Sequence, residues 1–188
     1  MTVKKYMTIP NLMSLFRIIL IPVFVVVYLE TADTTTVAWW PILILALSGL
    51  TDFFDGMIAR KFNQVSDLGK MLDPVADKLT QVAVIACLAF RYPQLWILLG
   101  FYVIKEIAMM VGGLVMLKGK RRQVPSARWY GKVATFELYA AMLLLLLFPN
   151  MPNGLVTTIT VVTAGLALFA LIMYAMSFFN FNGKGENK

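Results

Sequence analysis

Apolar residues fall into six long runs separated by short polar stretches, at approximately 9–29, 37–60, 67–90, 94–117, 129–149 and 154–180. A helix needs about 20 mostly apolar residues to cross the hydrocarbon core of a bilayer, and each run has about that length. The breaks between runs carry helix-ending chemistry: Thr31 to Thr36, Lys61 to Ser66, the Tyr92-Pro93 pair, Lys118 to Pro125, and Asn150 to Gly154. No linker is long enough to separate a second domain, and no internal repeat is evident. The pattern therefore predicts an all-α integral membrane protein with six transmembrane helices, forming a single membrane domain over residues 1–188.

Basic residues orient the runs. Lys4, Lys5, Arg60, Lys61, Lys70, Lys118, Lys120, Arg121, Arg122, Arg128, Lys184 and Lys188 collect on one side, while the other side holds only Arg91. The excess of Lys and Arg marks the cytoplasmic face, so both termini are expected there, in a multi-pass protein of the cell membrane. Lys4 and Lys5 before an apolar stretch imitate a secretory signal. However, Arg17 interrupts that run and no small-x-small cleavage site follows, so the segment is expected to be retained.

Composition agrees with lipid as the main solvent: 60% of the 188 residues are hydrophobic, and the mean hydropathy is +0.76. A net charge of +7 would suggest nucleic acid in a soluble protein. Here the cations sit between apolar runs and read as topology signals and contacts to anionic headgroups or phosphates, so no nucleic-acid partner is expected. The single cysteine, Cys87, lies in an apolar run and reads as a buried, inert thiol. The absence of histidine removes His-dependent triads and ordinary zinc sites.

Besides Arg60, Asp67 and Lys70 at their cytoplasmic ends, the apolar runs hold ten charged residues: Arg17, Asp52, Asp55, Asp73, Asp77, Lys78, Lys105, Glu106, Lys132 and Glu137. Charge is costly in hydrocarbon and usually faces a cavity or a partner. Counted from the cytoplasmic ends, all ten lie within three to four turns, on the order of 5 to 20 Å deep at 1.5 Å per residue. A shared depth points to one polar cavity open to the cytosol rather than to scattered ion pairs. Six carboxylates against four cations leave a formal charge of −2, which invites divalent cations.

Asp52 and Asp55 are spaced i, i+3 and Asp73 and Asp77 i, i+4, so each pair projects from one helix face. The second and third runs form a hairpin turning near Asn63, which brings the two pairs to similar depth. Four carboxylates converging in low dielectric would repel one another and take up protons unless a metal neutralised them. Oxygen ligands without His or thiolate point to Mg²⁺ or Mn²⁺, two ions in number. An interhelical ion pair or a proton relay would explain one such residue more simply than it explains four. Gly56, Ala59 and Gly69 let helices pack closely and also leave room for a ligand. Pro74 is expected to kink the third helix beside Asp73.

Asp52-Phe53-Phe54-Asp55-Gly56-Met57-Ile58-Ala59-Arg60, then eight residues, Gly69, three residues, Asp73, three residues and Asp77 resembles the signature of the CDP-alcohol phosphatidyltransferases. Every fixed position of D-x2-D-G-x2-A-R-x8-G-x3-D-x3-D is present. The resemblance implies a six-helix fold, commonly a homodimer, that moves a phosphatidyl group from a CDP-linked lipid to an alcohol and releases CMP. By match to the motif, Asp52, Asp55 and Asp73 would hold one metal and Asp52, Asp73 and Asp77 the second, with Asp77 also the general base. Gly56 and Ala59 would make room for the nucleotide lipid, and Arg60 with Ser66 would contact its CDP moiety.

The opening Ile9-Pro10-Asn11-Leu12-Met13-Ser14-Leu15-Phe16-Arg17 is similar to the P-N-x-x-T-x-x-R start common in bacterial phosphatidylglycerophosphate synthases, with Ser14 in place of Thr. Asn11 and Ser14 either cap the first helix or contact the cytidine nucleotide, and Arg17, too deep to snorkel, would pair with a carboxylate. The segment Ser126-Ala127-Arg128-Trp129-Tyr130-Gly131-Lys132-Val133-Ala134-Thr135 resembles the S-x-x-G-K-x-x-T region of the same enzymes, with two extra residues between Ser and Gly. A glycerol-phosphate acceptor is a dianion and needs cations beyond the metal site, for which Lys105, Arg128 and Lys132 are the candidates. The basic loop Lys118 to Arg122 reads equally as an anchor to anionic lipid.

These readings converge on a metal-dependent transferase that joins CDP-diacylglycerol to sn-glycerol 3-phosphate in phospholipid biosynthesis, with its active site facing the cytoplasm. A sibling enzyme using inositol phosphate or serine is the nearest alternative. From another class, a divalent-cation transporter would also carry an acidic layer, but it would be expected to offer a path through the uncharged outer halves of the helices.

Overall fold

A computed structural model describes residues 9–31, 37–61, 67–118 and 129–183. The side chains of 9, 10, 52, 53, 55–61, 67–71, 113–118 and 177–183 are outside that description. The described chain is all-helical: α1 (Ile9–Thr31), α2 (Trp39–Lys61), α3 (Asp67–Arg91), α4 (Leu95–Lys118), α5 (Trp129–Leu147) and α6 (Asn153–Gly183). Each helix coincides with one apolar run to within three residues at either end.

Among the described residues, four helices carry stretches long and apolar enough to cross a membrane: Asn11–Thr31, Leu95–Gly112, Trp129–Leu147 and Asn153–Met176. In α2 the described apolar stretch is Trp39–Thr51, and Asp52 and Asp55 follow it in the sequence. The first half of α3 carries Asp67, Lys70, Asp73, Asp77 and Lys78. Pro22 and Pro74 lie inside α1 and α3, and both helices continue through them.

The chain divides into two compact units, the first comprising Met1–Arg91 with Leu143–Asn150 and the second Tyr92–Met142 with Met151–Lys188. In the first unit α1 packs against both α2 and α3. It does so with reversed amphipathicity. Leu12, Phe16, Ile19, Val23 and Val26 are exposed, whereas Asn11, Ser14 and Arg17 are buried with Phe24 and Tyr28. Such an arrangement suits a helix whose solvent is lipid and whose polar groups find partners inside the protein. On α3, Ala76, Val84, Ile85 and Leu88 are buried, and so is the free thiol of Cys87.

In the second unit α4 packs against α6. The rings of Tyr130 on α5 and Tyr174 on α6 meet edge to face at 4.8 Å, beside Ala170, with Met109 of α4 packed against them. Along α6, Thr157, Thr158, Thr160 and Thr163 each donate the hydroxyl proton to the carbonyl four residues earlier at 2.8–2.9 Å. A hydroxyl in hydrocarbon is thereby satisfied within its own helix.

Candidate active site

The site is built on the first unit. Asn11, Ser14 and Arg17, spaced by three, lie on the buried side of α1, at 5%, 2% and 2% exposure. All three are inside the helix, which begins by Ile9. Asn11 and Ser14 therefore do not cap α1, and the capping reading gives way to one in which they serve the interior of the unit.

Arg17 meets α3. Its Nη2 donates to Oδ1 of Asp73, an ion pair that joins residues 56 positions apart. The two partners differ in environment: the Arg17 side chain is 2% exposed, that of Asp73 46%. Arg17 also lines a small crevice whose walls include Leu20, Phe24, Leu45 and Val84 with the hydroxyl residues Ser48 and Thr80. The expected pairing of Arg17 with a carboxylate is thus found, and the partner is a carboxylate of the acidic motif.

One turn beyond Asp73, Asp77 accepts a hydrogen bond of 3.1 Å at Oδ2 from Nε2 of Gln81, which is fully buried. Gln81 was not among the residues singled out from the sequence. Its position four residues after Asp77 on a helix was the available signal, since i, i+4 neighbours face each other. Asp73 and Asp77 are both half-buried. Asp52, Asp55, Gly56, Ala59 and Arg60 lie on α2, with side chains outside the described residues, as are Ser66 and Arg128 altogether. Among the described side chains, no three ligating groups converge.

The donor set can be tested against a divalent cation on the described pair. Both groups are carboxylates, Asp73 is open on one side, and its other side is fixed by a buried guanidinium. Hard oxygen donors with an accessible face suit Mg²⁺ or Mn²⁺, so the residues present fit such an ion.

In the second unit the candidate acceptor residues are placed differently. Lys105 is buried, its Nζ 2.6 Å from Oε1 of Glu106 and 4.8 Å from the centroid of the Tyr102 ring. Lys132 is exposed on α5. Its neighbour Gly131 has a packing role. A Cβ there would stand 2.5 Å from the Tyr174 hydroxyl, so the glycine lets α6 approach α5 at this point. Further along, Thr163 donates to Oε1 of Glu137 at 2.8 Å, and Oε2 of Glu137 is buried with no hydrogen-bond partner among the described residues.

Comparison with known proteins follows the same lines. A cardiolipin synthase (CMP-forming) from Streptomyces coelicolor is 35% identical over 145 residues, covering 76% of this chain and 66% of that protein. The CDP-diacylglycerol--glycerol-3-phosphate 3-phosphatidyltransferases of Salmonella typhimurium and Escherichia coli K12 are each 36% identical over 166 residues, covering 86% of this chain and 84% of theirs. Residues 7–179, which include α1 to α5, most of α6 and the whole acidic motif, match the CDP-alcohol phosphatidyltransferases, and the chain belongs to that family.

Proposed function

We propose that this protein transfers the phosphatidyl group of CDP-diacylglycerol to sn-glycerol 3-phosphate, giving phosphatidylglycerophosphate and CMP. The observation that carries the choice of acceptor is its likeness to glycerol-3-phosphate-using relatives over 86% of its length. In the reaction, an acceptor hydroxyl oxygen bonds to the phosphatidyl phosphorus as the bridging P–O bond of the pyrophosphate breaks and CMP departs. Divalent ions, when bound, neutralise the pyrophosphate and the charge growing on the leaving CMP.

Asp52, Asp55, Asp73 and Asp77 are the residues that would hold two Mg²⁺ or Mn²⁺ ions. Asp77 accepts the proton of the attacking hydroxyl, and the Gln81 amide fixes the orientation of its carboxylate. Asn11, Ser14, Gly56, Ala59, Arg60 and Ser66 bind the CDP-lipid, and the burial of Asn11 and Ser14 on one side of α1 supports their share in it. Lys105, Arg128 and Lys132 are assigned to the acceptor phosphate. The full chain, 1–188, acts as one domain with six transmembrane spans. Both termini and the active site are cytoplasmic, and the working form is a homodimer.

The cardiolipin synthase relative favours a second reading, in which the acceptor is the glycerol headgroup of a phospholipid. Both readings release CMP from the same donor, and family membership sets the cation-transporter alternative aside. Purified protein is incubated with CDP-diacylglycerol and, separately, glycerol 3-phosphate, phosphatidylglycerol, serine and inositol phosphate, and CMP release is measured. Release with glycerol 3-phosphate alone is expected. Release with phosphatidylglycerol and not glycerol 3-phosphate would replace the first reading with the second.

A further inference from the structure

Arg17 is a cation placed beside a group that is itself expected to receive cations. Its side chain is 2% exposed and lines a crevice with mostly apolar walls, and its guanidinium bonds Asp73 across the α1–α3 packing. A buried guanidinium cannot relax into water and does not deprotonate. It therefore remains a fixed positive charge whatever else binds nearby.

We propose that Arg17 is the standing counter-ion of Asp73, neutralising that carboxylate in the substrate-free protein and lowering the site's affinity for divalent metal. The inference rests on the reading of Asp73 as a metal ligand. Two effects of the arginine oppose each other. By holding one carboxylate oxygen it orients the ligand, which favours metal binding. By its charge it repels the ion, which disfavours it. Coulomb's law decides between them. A dication on the far oxygen of Asp73 would stand about 6 Å from the guanidinium. Even at the dielectric constant of water that repulsion is worth about tenfold in affinity, and more in the low-dielectric surroundings of the crevice. Orienting a ligand through a buried partner is worth about 10 to 100-fold, whereas at an effective dielectric constant of about 20 the repulsion is on the order of 10⁴-fold, so the charge prevails.

The consequence is a site that stays folded without metal. Its carboxylates do not all wait for an ion, and the negative charge that favours full metal loading arrives with the pyrophosphate of the substrate.

The test is Mn²⁺ binding to the purified, substrate-free protein in detergent, read from the electron paramagnetic resonance signal of free Mn²⁺. Arg17→Gln removes the charge and is expected to bind Mn²⁺ at least about tenfold more tightly than wild type. Arg17→Lys keeps the charge and loses the planar fork, and is expected to stay within about threefold of wild type. Unchanged or weaker binding by Arg17→Gln overturns the proposal and makes the arginine a geometric clamp. Should Arg17→Gln not yield monodisperse protein, Arg17→Lys decides: a loss of tenfold or more has the same overturning force, and retention supports the counter-ion. Asp73→Asn separates the underlying assumption. If it binds Mn²⁺ as wild type does, Asp73 is not a ligand and the proposal falls with that reading, whatever the arginine variants do.

Discussion

The two units handle intramembrane charge in different ways. In the first, polar contacts tie the acidic motif to residues outside it: Arg17 reaches from α1 to Asp73, and buried Gln81 bonds Asp77. In the second, Lys105 pairs with its immediate neighbour Glu106, Lys132 is exposed, and Glu137 is held by Thr163 between α5 and α6. Carboxylates that must hold ions and take a proton need fixed positions, and buried partners supply them. A phosphate dianion asks only for positive charge nearby, which many placements satisfy. The donor half of the proposed reaction is thus built with more constraint than the acceptor half.

The sharpest break of that contrast is at Asp77. Asp77→Asn removes the proposed base and a ligand charge together while keeping size and the bond from Gln81. It should lower CMP release by about 10²-fold or more at saturating divalent ion, with the protein still monodisperse. Near-normal turnover would remove Asp77 from the chemistry. In the second unit, Lys132→Gln should raise the KM for glycerol 3-phosphate on the order of 10 to 150-fold, the value of one charged hydrogen bond. The KM for CDP-diacylglycerol should change little. If both KM values hold, Lys132 is an interfacial anchor and the acceptor phosphate is bound elsewhere.

Much of the fold was legible because each crossing of lipid demands its own apolar run, and the six runs match six helices. The acidic motif was legible because its spacing is fixed by the ions it is expected to hold. What could not be read were pairings that depend on helix packing. Arg17 was expected to meet some carboxylate, but that it meets Asp73 follows from the contact of α1 with α3. Gln81 escaped notice because a glutamine in a helix carries no charge to flag it. Asn11 and Ser14 resemble a cap in sequence, and only the start of α1 by Ile9 places them inside the helix. Lys105 reads in the sequence as a cation bordering the cavity, and neither charge nor depth shows that Glu106 and Tyr102 lie against it. A phospholipid acceptor, raised by the cardiolipin synthase relative, was not among the alternatives, since the motif specifies the donor and leaves the acceptor open.

A smaller effect is expected at Gln81. Gln81→Leu is similar in size and removes the amide that donates to Asp77, so the carboxylate gains rotational freedom without losing its charge. Turnover should fall about tenfold, with either KM within about twofold. A change confined to KM for CDP-diacylglycerol would place Gln81 in substrate binding instead of in the orientation of the base.

The smallest effect is expected at Glu137, a charge-bearing group of the second unit whose contact with Thr163 joins two helices. Its Oε1 and the Ile159 carbonyl share the single proton of the Thr163 hydroxyl, so losing the glutamate leaves Thr163 a partner in its own helix. Hydrogen bonds between membrane helices contribute about 0.6 kcal/mol on average, because the unfolded chain in the membrane finds partners too. Glu137→Gln keeps an acceptor for Thr163 and should leave CMP release within about twofold. Glu137→Leu removes the bond and should lower stability by about 0.6 to 1.7 kcal/mol, read by thermal unfolding in detergent, again with activity preserved. A fall in CMP release of tenfold or more in Glu137→Gln, at unchanged stability, would contradict the contrast between the units. It would mean that the second unit contributes a carboxylate to the reaction, and that its contact with Thr163 serves to position that group.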